Sequence, residues 1–460
     1  MQRQLSTLLV LLCCFLPGSQ TNRIYVHPFS LFAVENVTCA APHTQHPKPG
    51  ETHPVAPLDL EVLTPDSRAS GEPDAQRQDI SVKMLVLSGL LNPLGLRMYQ
   101  ALSSRQRGTN TLMSPVSTYG SLVIFSLGAS ENTTDSFQFL LGLTSSTKQD
   151  DCALSVGRHN VLKTLQSINA LANRGPTHRV TTQLWAFTRQ DAELSDDFIQ
   201  GTKDFSDSSF VRSVDLSKAE EAKQLVNNFV EKTSNGKVKS IFRDLNSSSD
   251  FLFVSSFIFQ GNWRTAFQPD STSLQEFHVD ETTTVMAPLM TRTAQYHYLN
   301  DKVRRCTVVK LPLGQESYML LVLPHEGVNL HDIESKLTLS ADIILAWNQK
   351  LQKGLLELSV PKFSVSSVTD VRNLLTYMDP QLGTELLAAF SQLSNRNPFT
   401  IDKAFNRVVF EMSEEGEPQD NAQEEGIPLK LAFSRPFLFM VIEGGTNAIL
   451  MLGKITNPML

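Results

Sequence analysis

The sequence predicts an α+β body running from Ile80 to Leu460, preceded by a secretory leader and an extended tail. Three observations carry this expectation. Met84, Leu85, Leu87, Leu90, Leu91, Leu94, Leu96, Met98 and Leu102 recur at the spacing of a core-facing helix. Short β-rich apolar runs follow, among them Phe253–Phe259 and Leu320–Leu323. Before the body, Ala40–Asp79 carries Pro42, Pro47, Pro49, Pro54, Pro57, Pro65 and Pro73, which break regular elements. With 41% hydrophobic residues the chain can bury a large core, and it is not of the disordered class. The formal charge of −7 gives no electrostatic case for nucleic acid as a partner.

Taken in order, Met1–Thr21 holds Arg3, the apolar run Leu8–Leu16 and small residues before Asn22, the pattern of a signal peptide. No later run approaches the ~18 apolar residues that suggest a membrane span. A soluble, secreted protein beginning at Asn22 is therefore expected. Its first stretch reads Asn22-Arg-Ile-Tyr-Val-His-Pro-Phe-Ser-Leu-Phe32. Ile24 and Val26 disfavour helix, and Pro28 pushes His27 towards extended backbone. Such a segment has little ordering cost when a cleft binds it. Leu31 and Phe32 place two large apolar side chains across one peptide bond, a good fit to a protease cleft with apolar central pockets. Residues 22–79 form the tail, with a short helical turn expected around Asp59–Leu63.

In the body, Asn110-Thr-Leu-Met-Ser114-Pro115 reads as a short strand and a helix start, where Ser114 can cap and Pro115 suits the first helical position. Then come Val226–Ile241, Phe253–Phe267, Val285-Met286 with Met290, Leu320–Pro324, Val360–Ser364, Arg435–Met440 and Gly453–Ile455. In this order the strings resemble the serpin family, which has a tryptophan where Phe229 stands. The resemblance implies a serpin fold: one body with three β-sheets and surrounding helices, although roughly 250–300 residues is the size at which single cores usually divide. Inhibitory serpins insert a cleaved reactive loop as a central strand. Here the corresponding Glu414–Pro428 carries Glu417, Gln419, Asn421 and Gln423 at period two, plus Pro418 without an N–H. A non-inhibitory member is expected.

Arg23–Phe29 resembles the angiotensin family of vasoactive peptides. Asn22 stands for the usual aspartate, and Ser30 for the usual histidine before Leu31. The resemblance implies that renin cuts Leu31–Phe32 and releases Asn22–Leu31. Angiotensin-converting enzyme then removes Ser30-Leu31, leaving Phe29 as the terminal carboxylate. Arg23, Tyr25, His27 and Phe29 would contact an angiotensin receptor, with effects on blood pressure and on salt and fluid balance. An extracellular serine protease inhibitor and a small-molecule carrier are the alternative readings.

After removal of the leader, Cys39, Cys152 and Cys306 remain, one disulfide plus one thiol, and spacing alone does not choose the pair. Angiotensin-bearing serpins tie the hormone tail to the body, so the resemblance implies Cys39–Cys152. Cys306 precedes the apolar strand Thr307–Leu311 and is expected to be buried. Asn36, Asn132 and Asn246 head glycosylation sequons. His43, His46 and His53 are irregularly spaced among prolines and read as linker, so no metal is expected. Neither a zinc-protease, nucleophile-elbow nor phosphate-loop motif occurs, and neither enzymatic activity nor a cofactor is expected. Lys302, Arg304 and Arg305 read as a solvated turn, and Trp185, Trp263 and Trp347 as core.

Overall fold

The structure, a computed structural model, describes residues 32, 53–54, 74–143, 151–174, 176–190, 192, 194–262, 267, 271–314, 317–339, 342–380, 383, 390, 401–413 and 426–460. Side chains of 53–54, 74–81, 131–132 and 151–156 fall outside that description. The expected leader, the turn at Asp59–Leu63, Trp263 and the loop segment 414–425 lie outside the described residues.

Elements follow in chain order: β1 (His53–Pro54), α1 (Asp74–Arg105), β2 (Thr111–Met113), α2 (Pro115–Gly128), α3 (Glu131–Leu141), α4 (Asp151–Ala172) and β3 (His178–Thr188). Then come α5 (Asp196–Phe205), β4 (Ser208–Ser213), α6 (Ala219–Thr233), β5 (Phe251–Asn262), β6 (Thr272–His278), β7 (Thr284–Asp301), β8 (Cys306–Pro312) and β9 (Ser317–Pro324). The chain ends with α7 (Leu330–Leu337), α8 (Ile343–Lys350), β10 (Gln352–Pro361), β11 (Val365–Asp370), α9 (Val371–Met378), β12 (Ile401–Ser413), β13 (Leu429–Ala432), β14 (Phe437–Glu443) and β15 (Ile449–Ile455).

One sheet has the order β1-β4-β3-β5-β12-β11. The other runs β13-β10-β7-β8-β9-β14-β15-β2, with β6 added to β7. The α+β serpin fold is present, and among the described residues its strands join into two hydrogen-bonded networks where three sheets were expected. The cause is β7. Its Thr284–Met290 pairs with β6, Leu289–Tyr298 with β10 and His297–Asp301 with β8, so one strand serves two layers.

The six-stranded sheet is covered on both faces. On β3 and β5, Leu184, Ala186, Phe251 and Phe253 join the main core, while Trp185, Phe187, Leu252 and Val254 join a second cluster under α6. Alternate residues of a strand point to opposite faces, so a doubly covered strand must be apolar throughout. Phe229, the family's tryptophan position, fills this second cluster edge-on to Phe187 and Phe210. Trp185 and Trp347 are buried, as expected, and donate to Thr233 and Asp301.

α2 starts as its sequence requires. Ser114 Oγ accepts from the Ser117 amide at 3.1 Å, and Pro115 opens the helix. Two boundaries differ from expectation. α1 begins at Asp74, not near Ile80. The proline-rich stretch is also not wholly irregular, because His53 and Pro54 pair in parallel with Arg212 and Ser213 of β4. Proline is tolerated there because β1 is an edge strand whose outer side needs no donor.

Candidate functional site

Three successive residues of α4 reach in three directions, as a turn of 100° per residue dictates. Arg158 donates to the Ser126 carbonyl of α2 at 2.6 Å. His159 lies between two carboxylates of α5, with Nδ1 at 2.7 Å from Asp204 and Nε2 at 2.9 Å from Asp197. Asn160 donates through Nδ2 to the backbone carbonyl of Phe32 at 2.5 Å. Phe32 is completely buried and belongs to the main core. The helix therefore binds two neighbouring helices and the residue on the C-terminal side of the expected cut.

Charge reinforces this clamp. Burial pulls the His159 imidazole down, but hydrogen bonds and charge from Asp197 and Asp204 outweigh it and push it up to about 9. Burial also pushes the Asp204 carboxyl up, and the bonds from His159 and Gln200, with Lys163 nearby, hold it below its ordinary value. His159 is thus a cation between anions at neutral pH.

Among the expected site residues, Phe32 is described and buried. Arg23, Tyr25, His27, Phe29, Ser30, Leu31, Asn36 and Cys39 lie outside the described residues. Cys152 and Asn132 stand in the first turns of α4 and α3, with side chains outside the description. Asn246 is exposed in the segment before β5. Cys306 is buried and unpaired, and burial pushes its thiol up to about 12. Lys302 and Arg305 are exposed, and Arg304 pairs with Asp301 at 2.9 Å, as suits a turn. Sequence reasoning missed Asn160 and His159. A single asparagine on a helix has no spacing signature, and the carboxylates around His159 are distant in sequence.

The second feature is the seam between the parallel strands near the centre of the six-stranded sheet, which a new central strand would have to open. Here β5 and β12 pair directly in parallel, from Phe251↔Ile401 to Asn262↔Ser413. Beneath the seam Asn406 Oδ1 accepts from Ser121 at 3.2 Å and from Ser255, and its Nδ2 donates to Thr118 at 3.0 Å. At the upper end Glu411 of β12 accepts from Lys237 at 2.5 Å and from Gln260 of β5 at 3.0 Å. The seam is closed by ladder, core and side-chain bonds together.

Residues 90–458 match the family model for "Serpin (serine protease inhibitor)", and the chain belongs to the serpin family. Rat angiotensinogen is 28% identical across 95% of this chain and 94% of its own length. Bovine serpin A3-7 is 27% identical across 84% of this chain and 92% of its own. Among solved structures, human thyroxine-binding globulin superposes with a TM-score of 0.69 at 26% identity, covering 82% of this chain and 99% of that one.

Proposed function

We propose that this chain is a secreted precursor of an angiotensin-type vasoactive peptide. Residues 1–21 are its leader, 22–79 its hormone-bearing tail and 80–460 its serpin domain. Renin cuts Leu31–Phe32 and releases Asn22–Leu31, which angiotensin-converting enzyme trims to Asn22–Phe29 for an angiotensin receptor. The observation that carries this reading is Arg23–Phe29, an angiotensin-like string placed directly after a leader. The similarity to rat angiotensinogen supports it, because 95% coverage leaves too little of this chain unmatched to exclude the tail. The serpin body is then a carrier and presenter of the tail, and no protease trap is assigned to it.

The burial of Phe32 fits such a presenter. A cleft that cuts Leu31–Phe32 must surround the Phe32 side chain, so the residue has to leave the core first. Cys152 stands two turns before Asn160 on α4, about 12 Å along the axis. Cys39 lies seven residues after Phe32, a span of at most about 25 Å. A Cys39–Cys152 bridge is within that reach when Phe32 sits on Asn160. Replacing Leu31 with Asp tests the cut, since a charge would have to enter an apolar pocket. Release of the peptide should be abolished, and unchanged release would overturn the assignment.

A further inference from the structure

Beside the sequon at Asn246 lies an open cavity of about 410 Å³. Its walls come from the end of β3, the segment after β4 and the segment before β5, and include Arg189, Gln190, Asp215, Ser217 and Ser249. A smaller cavity of about 160 Å³, lined in part by α6, shares Gln190 and Asp215 with it. The strong charges in the wall are already engaged. Arg189 binds Asp250 at 2.8 Å, and Asp215 accepts from the Ser217 amide at 3.2 Å and from its hydroxyl at 2.5 Å. Ser249 is only 4% exposed, yet its hydroxyl has no hydrogen-bond partner among the described residues. That oxygen is closed off from the surface, so a polar group satisfies it only where the wall gives way.

We propose that this cavity is the seat of the first sugars of an N-linked glycan on Asn246. The surroundings select a neutral, hydroxyl-rich ligand. Arg189 is neutralised by Asp250, so an anion finds no free cation in this wall, while the exposed Ser247, Ser248 and Gln190 offer donors and acceptors in mixed order. Geometry selects the attached glycan over a free one. Asn246 is exposed, its Oδ1 is held by the Ser248 amide at 3.1 Å, and the next three residues form part of the wall. A sugar tethered at that point meets the cavity at an effective concentration on the order of millimolar, so weak contacts suffice. The seat would tie the segment before β5 to those after β3 and β4.

This proposal rests on the secreted reading, and the experiment separates the two. The full chain is expressed in cells with a glycosylating secretory pathway, and each sequon is assigned by mass spectrometry of the secreted protein. Removal of the Asn246 glycan by peptide N-glycosidase is then timed in native and denatured protein. Two variants accompany it: Ser249→Ala, and Gln190→Trp, which fills the groove from an exposed position. Release from native wild type should be roughly tenfold slower than from native Gln190→Trp, with Ser249→Ala between them and all three alike after denaturation. A secreted chain with Asn246 vacant, or one whose native glycan is released as fast as in Gln190→Trp, overturns the seat and leaves the secreted reading intact. A chain retained in the cell without any glycan overturns both.

Discussion

Asn160 and His159 are neighbours on α4 with separate tasks, and separate measurements report on them. Asn160 satisfies the buried carbonyl of Phe32. Asn160→Ala leaves that carbonyl unpaired at a cost of about 1–3 kcal/mol, so the undocked tail becomes roughly 5- to 150-fold more populated. Renin cleavage of the full chain should accelerate towards the rate for a free Asn22–Thr38 peptide. An unaltered rate would mean that undocking of Phe32 does not limit the cut. His159 governs stability at alkaline pH. Its folded pKa of about 9 exceeds the unfolded value of 6.5, so the folded state holds its proton more tightly. The resulting stabilisation, on the order of 3 kcal/mol, is complete below pH ~6.5 and is lost as pH rises through ~9. Wild type should lose stability over that window, and His159→Gln should lose much less of it; parallel curves would refute the assignment. Cys306 is sheltered from reagents by burial and by its raised pKa. It should resist thiol labelling at pH 8 in the folded protein and react fully in denaturant.

At the scale of elements, what could be read from the sequence depended on how local the physics was. The start of α2 was legible because a cap, a proline and an apolar run lie within a few residues. β5 was legible as a strand because Phe251–Phe259 is almost wholly apolar, while its coverage on both faces emerged only from the fold. The double duty of β7 was not, because Thr284–Asp301 alternates weakly and its partners are distant in sequence. Nor was β1, two residues whose pairing is decided entirely by the free edge of β4. The same contrast holds in the site. Leu31–Phe32 stands out as a cleavable pair, while the pocket that hides Phe32 is assembled by folding. The seam between β5 and β12 makes a prediction of its own. Asn406→Leu removes the acceptor shared by Ser121 and Ser255 and the donor to Thr118. It should destabilise the protein by about 1–3 kcal/mol, read as a lower urea midpoint with an unchanged slope. A midpoint equal to wild type would show that the cluster does not hold the seam.

For the whole molecule, the proposed cut in the tail and a sheet that stays closed belong to one account. β12 leads into Glu414–Pro428, where Glu417 and Pro418 would each introduce a defect into a central strand. Limited proteolysis within Glu414–Pro428 should therefore leave the melting temperature nearly unchanged and yield no SDS-resistant complex with a serine protease. A large rise in melting temperature, or such a complex, would restore the inhibitor reading. The hormone-precursor claim itself is tested most directly by mass spectrometry of what renin releases from the secreted, full-length chain. The account predicts one early product, the decapeptide Asn22–Leu31, with the remaining protein beginning at Phe32. Cleavage at another bond at a comparable rate, or no product from a folded chain that renin engages, would contradict it.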